Sequence, residues 1–262
     1  MPQPNQITPP QLMRLIGTPD CPTLLDVRLA EDVALAPRLI PGSRLHPHDQ
    51  PVTLPGQRVV VICTKGRKLS EGMAALLRCQ NIPAEVLEGG TVAWAEAGLP
   101  MVPLANLPRT NLWVTRHRPK IDRIACPWLI RRFIDPAASF LYVAPTEVSA
   151  VAERFNATPF DIEDTFYSHR AGFCSFDAML DHWSLQTEAL ARLALVVRAA
   201  DTDRHDLSPQ AAGLLAISVG LSRQYRDDLD QLAVGLTLYD ALYRWARDGH
   251  DEGHDWPAGR GA

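Results

Sequence analysis

The sequence predicts an α/β protein: a small parallel sheet over residues 1–105, then a mostly helical part with a small α/β start. Three observations carry that reading. Short apolar runs alternate with helical patterns as far as residue 105, a proline-rich seam follows, and helical stripes dominate from Phe176 onward. At the usual ~100–200 residues per domain, a chain of 262 residues holds two, expected at 1–105 and 110–248, with 249–262 a polar, glycine-rich flexible tail.

Taken in order, Pro10–Ile16 shows helical spacing, and Thr23–Val27 is a short buried strand. Val59–Cys63 is a second strand, fully apolar as parallel strands covered on both faces are. Leu69–Cys79 follows as a helix on which Met73, Leu76 and Leu77 share a face with Cys79 nearby, and Ala84–Leu87 is a third strand. Pro100, Pro103 and Pro108 interrupt any periodicity and mark an interdomain linker. Beyond it, Leu112–Thr115 and Ser139–Val143 are strands, with helices at Arg123–Ile134 and Pro145–Phe155. Leu190, Leu193, Ala194 and Val197 form one helical stripe, and Leu229, Leu232, Leu236, Tyr239 and Leu242 another.

Composition excludes several classes. No run of eighteen apolar residues exists, so no membrane helix is expected, and Met1–Gln6 lacks the basic head and apolar stretch of a secretory leader. Five scattered cysteines, an odd number, fit free thiols in a reducing cytoplasm. The net charge of −4 conceals a basic strip: residues 106–134 carry seven Lys/Arg against Asp122 alone, whereas 135–262 carry ten against twenty Asp/Glu. Such a strip before an acidic body indicates a local anion site and argues against nucleic acid as the partner.

The sharpest local feature is Val59–Ile62 running into Cys63-Thr64-Lys65-Gly66-Arg67-Lys68 and then a helix. The carboxyl end of a parallel strand is where α/β folds bind ligands. Loop amides curling toward the sulfur, the dipole of the next helix and the Lys65, Arg67 and Lys68 cations would all favour thiolate over thiol. Cys63 is thus the candidate nucleophile, and Thr64, Lys65, Gly66, Arg67 and Lys68 the candidate substrate cradle. Asp26 and Arg28 are read as loop ties and Trp94 as a core aromatic.

Four motifs give residues 1–105 a resemblance to a single rhodanese (sulfurtransferase) domain. They are Leu24-Leu25-Asp26-Val27-Arg28, Ile40-Pro41-Gly42-Ser43, the Cys63–Lys68 loop, and Glu88-Gly89-Gly90 through Trp94 to Gly98-Leu99-Pro100. The resemblance implies that Cys63 accepts a sulfane sulfur as a persulfide and passes it to a thiophilic acceptor without a cofactor. It implies as partners a small anionic donor such as thiosulfate and a thiol acceptor. Two positions depart from the family: Lys68-Leu69 stands where Arg-Ser is frequent, and Leu39 replaces a histidine. Phosphatases and arsenate reductases of related fold need Cys-x5-Arg; residue 69 is leucine, so that chemistry is disfavoured.

In the second part, Arg116, His117, Arg118, Lys120 and Arg123 crowd the gap between a strand and a helix, and Arg116, Lys120, Asp122, Arg123 and Cys126 form the candidate anion site. Were Pro127 the first helical residue, Cys126 would cap the helix and its thiolate would be favoured. Were the helix to start at Asp122, Cys126 would only pack. Glu163, His169, Asp201 and Asp203 are of metal-ligand type and could hold a divalent ion. No Cys-x-x-Cys or His-Glu-x-x-His spacing supports them, and helix capping and salt bridging account for the same residues.

Residues 112–248 resemble the C-terminal domain of the ChrB-type chromate-resistance family. The resemblance rests on Trp113–Arg116, Lys120–Ile134, Cys174–Asp177, Ala200–Asp203 and Gln210–Ala216. It implies a setting of chromate sensing or tolerance, with chromate as a further ligand. Together the two resemblances imply a cytoplasmic sulfurtransferase fused to an oxyanion-recognising domain. The alternatives are a regulator in which Cys63 senses oxidants, and a metal-dependent activity in the second part.

Overall fold

The computed structural model describes residues 4–52 and 58–253. Its N-terminal part runs β1 (Gln6–Ile7), α1 (Pro9–Met13), β2 (Thr23–Asp26), α2 (Ala30–Leu35), β3 (Arg38–Leu39), β4 (Ser43–Leu45), β5 (Val59–Ile62), α3 (Lys68–Cys79), β6 (Ala84–Leu87) and α4 (Gly90–Glu96). Five of these strands make one parallel sheet in the order β1-β6-β5-β2-β4. β5, in the middle, is buried at all four positions, which is why its sequence is an unbroken apolar run. Thr8 caps α1 through a reciprocal box with Gln11, and Pro9 and Pro10 sit where a helix does not need their missing N–H groups.

On α3 the buried arc is Ser70, Met73, Ala74 and Leu77. Leu76 is 58% exposed and Cys79 is exposed as well, so the face expected to hold them is rotated toward Ser70. Arg28 ties loops together as expected: its guanidinium grips Asp26 (2.8–3.0 Å) and donates to the Ala36 and Arg38 carbonyls.

The proline-rich segment carries β7 (Val102–Pro103), antiparallel to β3, and a 3-10 turn at Leu104–Asn106. Trp94 Nε1 donates to the Pro100 carbonyl on one side of it. On the other, Asn106 exchanges hydrogen bonds with the His182 carbonyl and Trp183 Nε1. One apolar cluster reaches from Leu12, Ile16 and Trp94 through Trp128 and Phe133 to Tyr243, joining the two parts.

The second part opens with β8 (Leu112–Arg116), α5 (Asp122–Phe133), β9 (Ser139–Val143), α6 (Val148–Phe155) and β10 (Thr158–Pro159), the strands forming a parallel sheet ordered β10-β8-β9. It closes with α7 (Ser175–His182), α8 (Glu188–Asp201), α9 (Gln210–Gln224) and α10 (Asp228–Arg244). The stripe on α8 is buried as expected, whereas on α10 it runs Leu232, Gly235, Tyr239, Tyr243 and leaves Leu229 53% exposed. Among the described residues no helix is long and apolar enough to cross a membrane. The expected tail lies outside the described residues from 254 onward.

α5 begins at Asp122, which decides between the two readings of Cys126. Pro127 lies inside the helix and cannot donate to the Arg123 carbonyl one turn back. The Tyr142 hydroxyl, reaching from β9, supplies that missing hydrogen bond at 2.9 Å. Cys126 is wholly buried and packs, so the capping alternative falls and Cys126 leaves the candidate anion site: burial, with Asp122 and Asp161 nearby, drives its pKa well above the usual thiol value.

Candidate functional site

Two constellations of reactive side chains stand in this scaffold. The first is the strand-to-helix turn after β5. Cys63 sits at the carboxyl end of the sheet, and the next five residues curl so that the Arg67 N–H donates to Cys63 Sγ at 3.3 Å. Ser70 Oγ, in the first turn of α3, lies 3.1 Å from the same sulfur. Burial pushes the thiol pKa up, but the Ser70 hydroxyl and the Arg67, Ser70 and Lys65 amides outweigh it and hold the value below 9.0. The stabilisation thus comes from dipoles close to the sulfur, while Lys65, Arg67 and Lys68 turn their side chains to solvent. Cys63 itself is 6% exposed, so the loop shields the sulfur more than its position at a strand end suggests.

The loop is fastened from behind by the Gly89-Gly90 turn. Thr91 N and Val92 N donate to the Cys63 and Thr64 carbonyls at 3.0 and 3.1 Å. This contact requires glycine on both sides. Gly90 has φ +62°, and a Cβ there would stand 2.1 Å from the Cys63 carbonyl oxygen; Gly66 has φ +63°, and its Cβ would stand 2.4 Å from the Leu87 carbonyl. Thr64 is drawn sideways, its hydroxyl donating to Asp32 on α2 at 2.9 Å. Of the proposed cradle, Gly66 is thus backbone, Thr64 is tied off, and the three cations are exposed.

The second constellation lies at the start of α5. Pro119, Lys120 and Ile121 lead into it through a constrained turn in which Ile121 has φ +38°, a strained value for a β-branched residue. Tyr239 Oη, donating to the Ile121 carbonyl at 3.1 Å, and Gln231 Nε2, donating to that of Pro119, hold this turn. Asp122 is thereby buried completely, its Oδ2 accepting from the Ser175 and Phe176 N–H groups at the N-terminus of α7. His169 Nε2 lies 3.0 Å from Asp201 Oδ2, 3.4 Å from Asp161 Oδ1 and 3.7 Å from Asp122 Oδ2. Burial and the Asp201 and Asp161 charges push the Asp122 pKa well up. Hydrogen bonds to Asp161 and Asp201 raise His169 to about 10.

This arrangement corrects the expected groupings. Arg116 and Arg123 do converge, but on a carboxylate, each 3.2 Å from Asp161 Oδ2. Lys120 is half-buried, and Arg118 donates to the Ser222 carbonyl. The strip is therefore partly neutralised from within, and Asp122 belongs to an acidic cluster rather than to an anion cradle. Of the metal-type set, His169 and Asp201 meet, with Asp122 as the third member. Glu163 is exposed and outside the group; Asp203 is exposed and pairs with His205. At the start of α7, Asp177 accepts from the Cys174 N–H and forms a two-pronged ion pair with Arg198.

Sequence reasoning missed two residues. Ser70 is one small hydroxyl in a helical pattern, and its only signal is its place in the first turn after the loop, on the buried arc. Asp161 shares no local spacing with Asp122, His169 or Asp201.

The model of the ChrB C-terminal domain family matches residues 113–246. Protein ChrB of Cupriavidus metallidurans is 29% identical over 198 residues, 68% of this chain, and the matched span is 59% of that protein's length. Over 37% of this chain there is a likeness to a rhodanese-related protein from Thermoplasma volcanium, covering 97% of it at 24% identity with a TM-score of 0.33. A rhodanese-like domain protein from Staphylococcus aureus is matched over 34% of this chain and 90% of its own, at 27% identity and a TM-score of 0.30. On the match across residues 113–246, with Asp122, His169 and Asp201 all inside it, the chain belongs to the ChrB C-terminal domain family.

Proposed function

We propose that this protein is a sulfurtransferase that works through Cys63, in a setting of chromate or sulfur-oxyanion tolerance. The observation that carries the reading is the pair of donors on one sulfur, the Arg67 N–H and the Ser70 hydroxyl, at the carboxyl end of a parallel sheet. The Cys63 thiolate attacks the sulfane sulfur of thiosulfate. The sulfur–sulfur bond of the donor breaks, its electron pair leaves with sulfite, and Cys63 carries a persulfide anion. An acceptor thiolate then attacks the terminal sulfur and returns Cys63 as thiolate. The loop amides that favour the thiolate favour the persulfide anion for the same reason. The exposed Lys65, Arg67 and Lys68 of the same loop draw in the anionic donor. The four rhodanese motifs support the reading, and the ChrB kinship supports the oxyanion setting. The cytoplasm, with its reduced thiols, is the compartment that suits this chemistry.

The test is turnover. Sustained sulfur transfer from thiosulfate to an acceptor thiol, abolished in C63S, is expected. Stoichiometric oxidation of Cys63 without turnover would replace this reading by a sensor, and activity surviving in C63S would refute it.

A further inference from the structure

We propose that Asp122, His169 and Asp201 form a binding site for one divalent first-row metal ion of the Mn2+ or Zn2+ kind. The site is separate from the Cys63 loop and does not depend on the sulfurtransferase reading. Three features of the geometry point to it.

First, one ligand atom from each residue falls in a group within 4.8 Å of one another. Metal–ligand bonds of about 2.0–2.2 Å put neighbouring donors about 3.0–3.5 Å apart. The separations from His169 Nε2, 3.0 Å to Asp201 and 3.7 Å to Asp122, bracket that spacing. Second, Asp122 is wholly buried, yet its Oδ1 has no hydrogen-bond partner. Buried carboxylate oxygens are almost always satisfied; here Oδ2, the atom 3.7 Å from His169, takes the two amides of α7, while Oδ1 of the same carboxylate keeps its lone pairs for a further partner. Third, charge is balanced on one side only. Arg116 and Arg123 both lie against Asp161 Oδ2, whereas Asp161 Oδ1, Asp122 and Asp201 face a single imidazole. The turn that delivers Asp122 runs through Ile121 at φ +38°, and Asp161 itself sits at φ +53°.

The ligand set selects the ion. One imidazole with carboxylates and no sulfur suits borderline to hard divalent ions, and the few protein donors fall short of the six to eight oxygens that Ca2+ takes. The Ser175 and Phe176 N–H groups on Asp122, and the Ser175 hydroxyl on Asp161 at 2.9 Å, orient the carboxylates from behind. His169, its side chain 44% exposed, forms the entry side.

The experiment titrates the full-length, untagged, chelator-treated protein with Zn2+ and, separately, Mn2+ by calorimetry, with elemental analysis after dialysis. One equivalent per chain is expected, with affinity lowered at least about tenfold in H169A and in D201N. E163Q, D203N and the double variant H250A/H254A should bind as the parent does. His169 is half-exposed and H169A is expected to fold; far-UV circular dichroism checks this, and H169Q provides a second variant. Absence of stoichiometric binding, or binding unchanged in folded H169A and D201N, would overturn the proposal and leave the cluster as an ion pair around a protonated histidine.

Discussion

Replacing Ser70 by alanine isolates the interaction on which the reactivity of Cys63 rests. The hydroxyl lies 3.1 Å from Sγ and 3.0 Å from the Arg67 carbonyl, so its single proton is drawn to the sulfur when that sulfur is ionised. A hydrogen bond to a charged partner contributes about 1.5–3 kcal/mol. Competition from the carbonyl places this one at the lower end. About 1.4 kcal/mol corresponds to one pKa unit, so S70A should raise the Cys63 midpoint by about one unit and lower its thiolate fraction about tenfold at pH values well below the parent midpoint. The Arg67 amide at 3.3 Å remains. The assay is the rate of iodoacetamide labelling of the Cys63 peptide against pH, read by mass spectrometry. Exposed Cys79, on the same helix, is followed in the same digest as the internal comparison. An unchanged midpoint in folded S70A would refute the idea that local dipoles ionise the sulfur.

Further expectations follow from other contacts. G90A forces a Cβ to 2.1 Å from the Cys63 carbonyl at φ +62°, and should cost at least about 2 kcal/mol in denaturant unfolding and abolish sulfur transfer. Y142F leaves the Arg123 carbonyl unsatisfied beside Pro127, and should lower stability by about 1–2 kcal/mol with no change at Cys63. D240A removes the acceptor shared by Trp128 Nε1 and Arg132, joining α5 to α10, and should cost about 2–3 kcal/mol, visible as a lower Tm. Because the Cys63 pKa is lowered on folding from 9.0, its contribution to stability is complete above the unfolded value and is lost as pH falls through the folded one. Unfolding midpoints of the parent relative to C63S should therefore rise as pH climbs toward about 9.

What the sequence revealed follows from how local each signal is. The Val59–Ile62 run and the Cys63–Lys68 loop are contiguous, so burial, strand end and cation-rich turn are legible in one stretch. The glycine turn behind the loop was legible as part of a motif, though only the fold shows Gly90 touching the Cys63 carbonyl. On α3, a helical step of 100° places Leu76 at the edge of the apolar face, and packing against the sheet selects Ser70, Met73, Ala74 and Leu77 instead. The sequence leaves the start of α5 open between Asp122 and Pro127, because first turns favour proline; the Tyr142 hydroxyl, from a neighbouring strand, makes the interior proline tolerable. The acidic cluster was only partly legible. His169 and Asp201 are in view, but Asp122 comes from a segment 47 residues away and Asp161 reaches His169 across an irregular loop, and no spacing rule covers either case.

The most direct test of the account is one mass spectrum of the intact protein after thiosulfate treatment, followed by peptide mapping. The account predicts a gain of a single sulfur atom, located at Cys63 and absent from C63S. A chain that gains none, or gains it at Cys79, would contradict it.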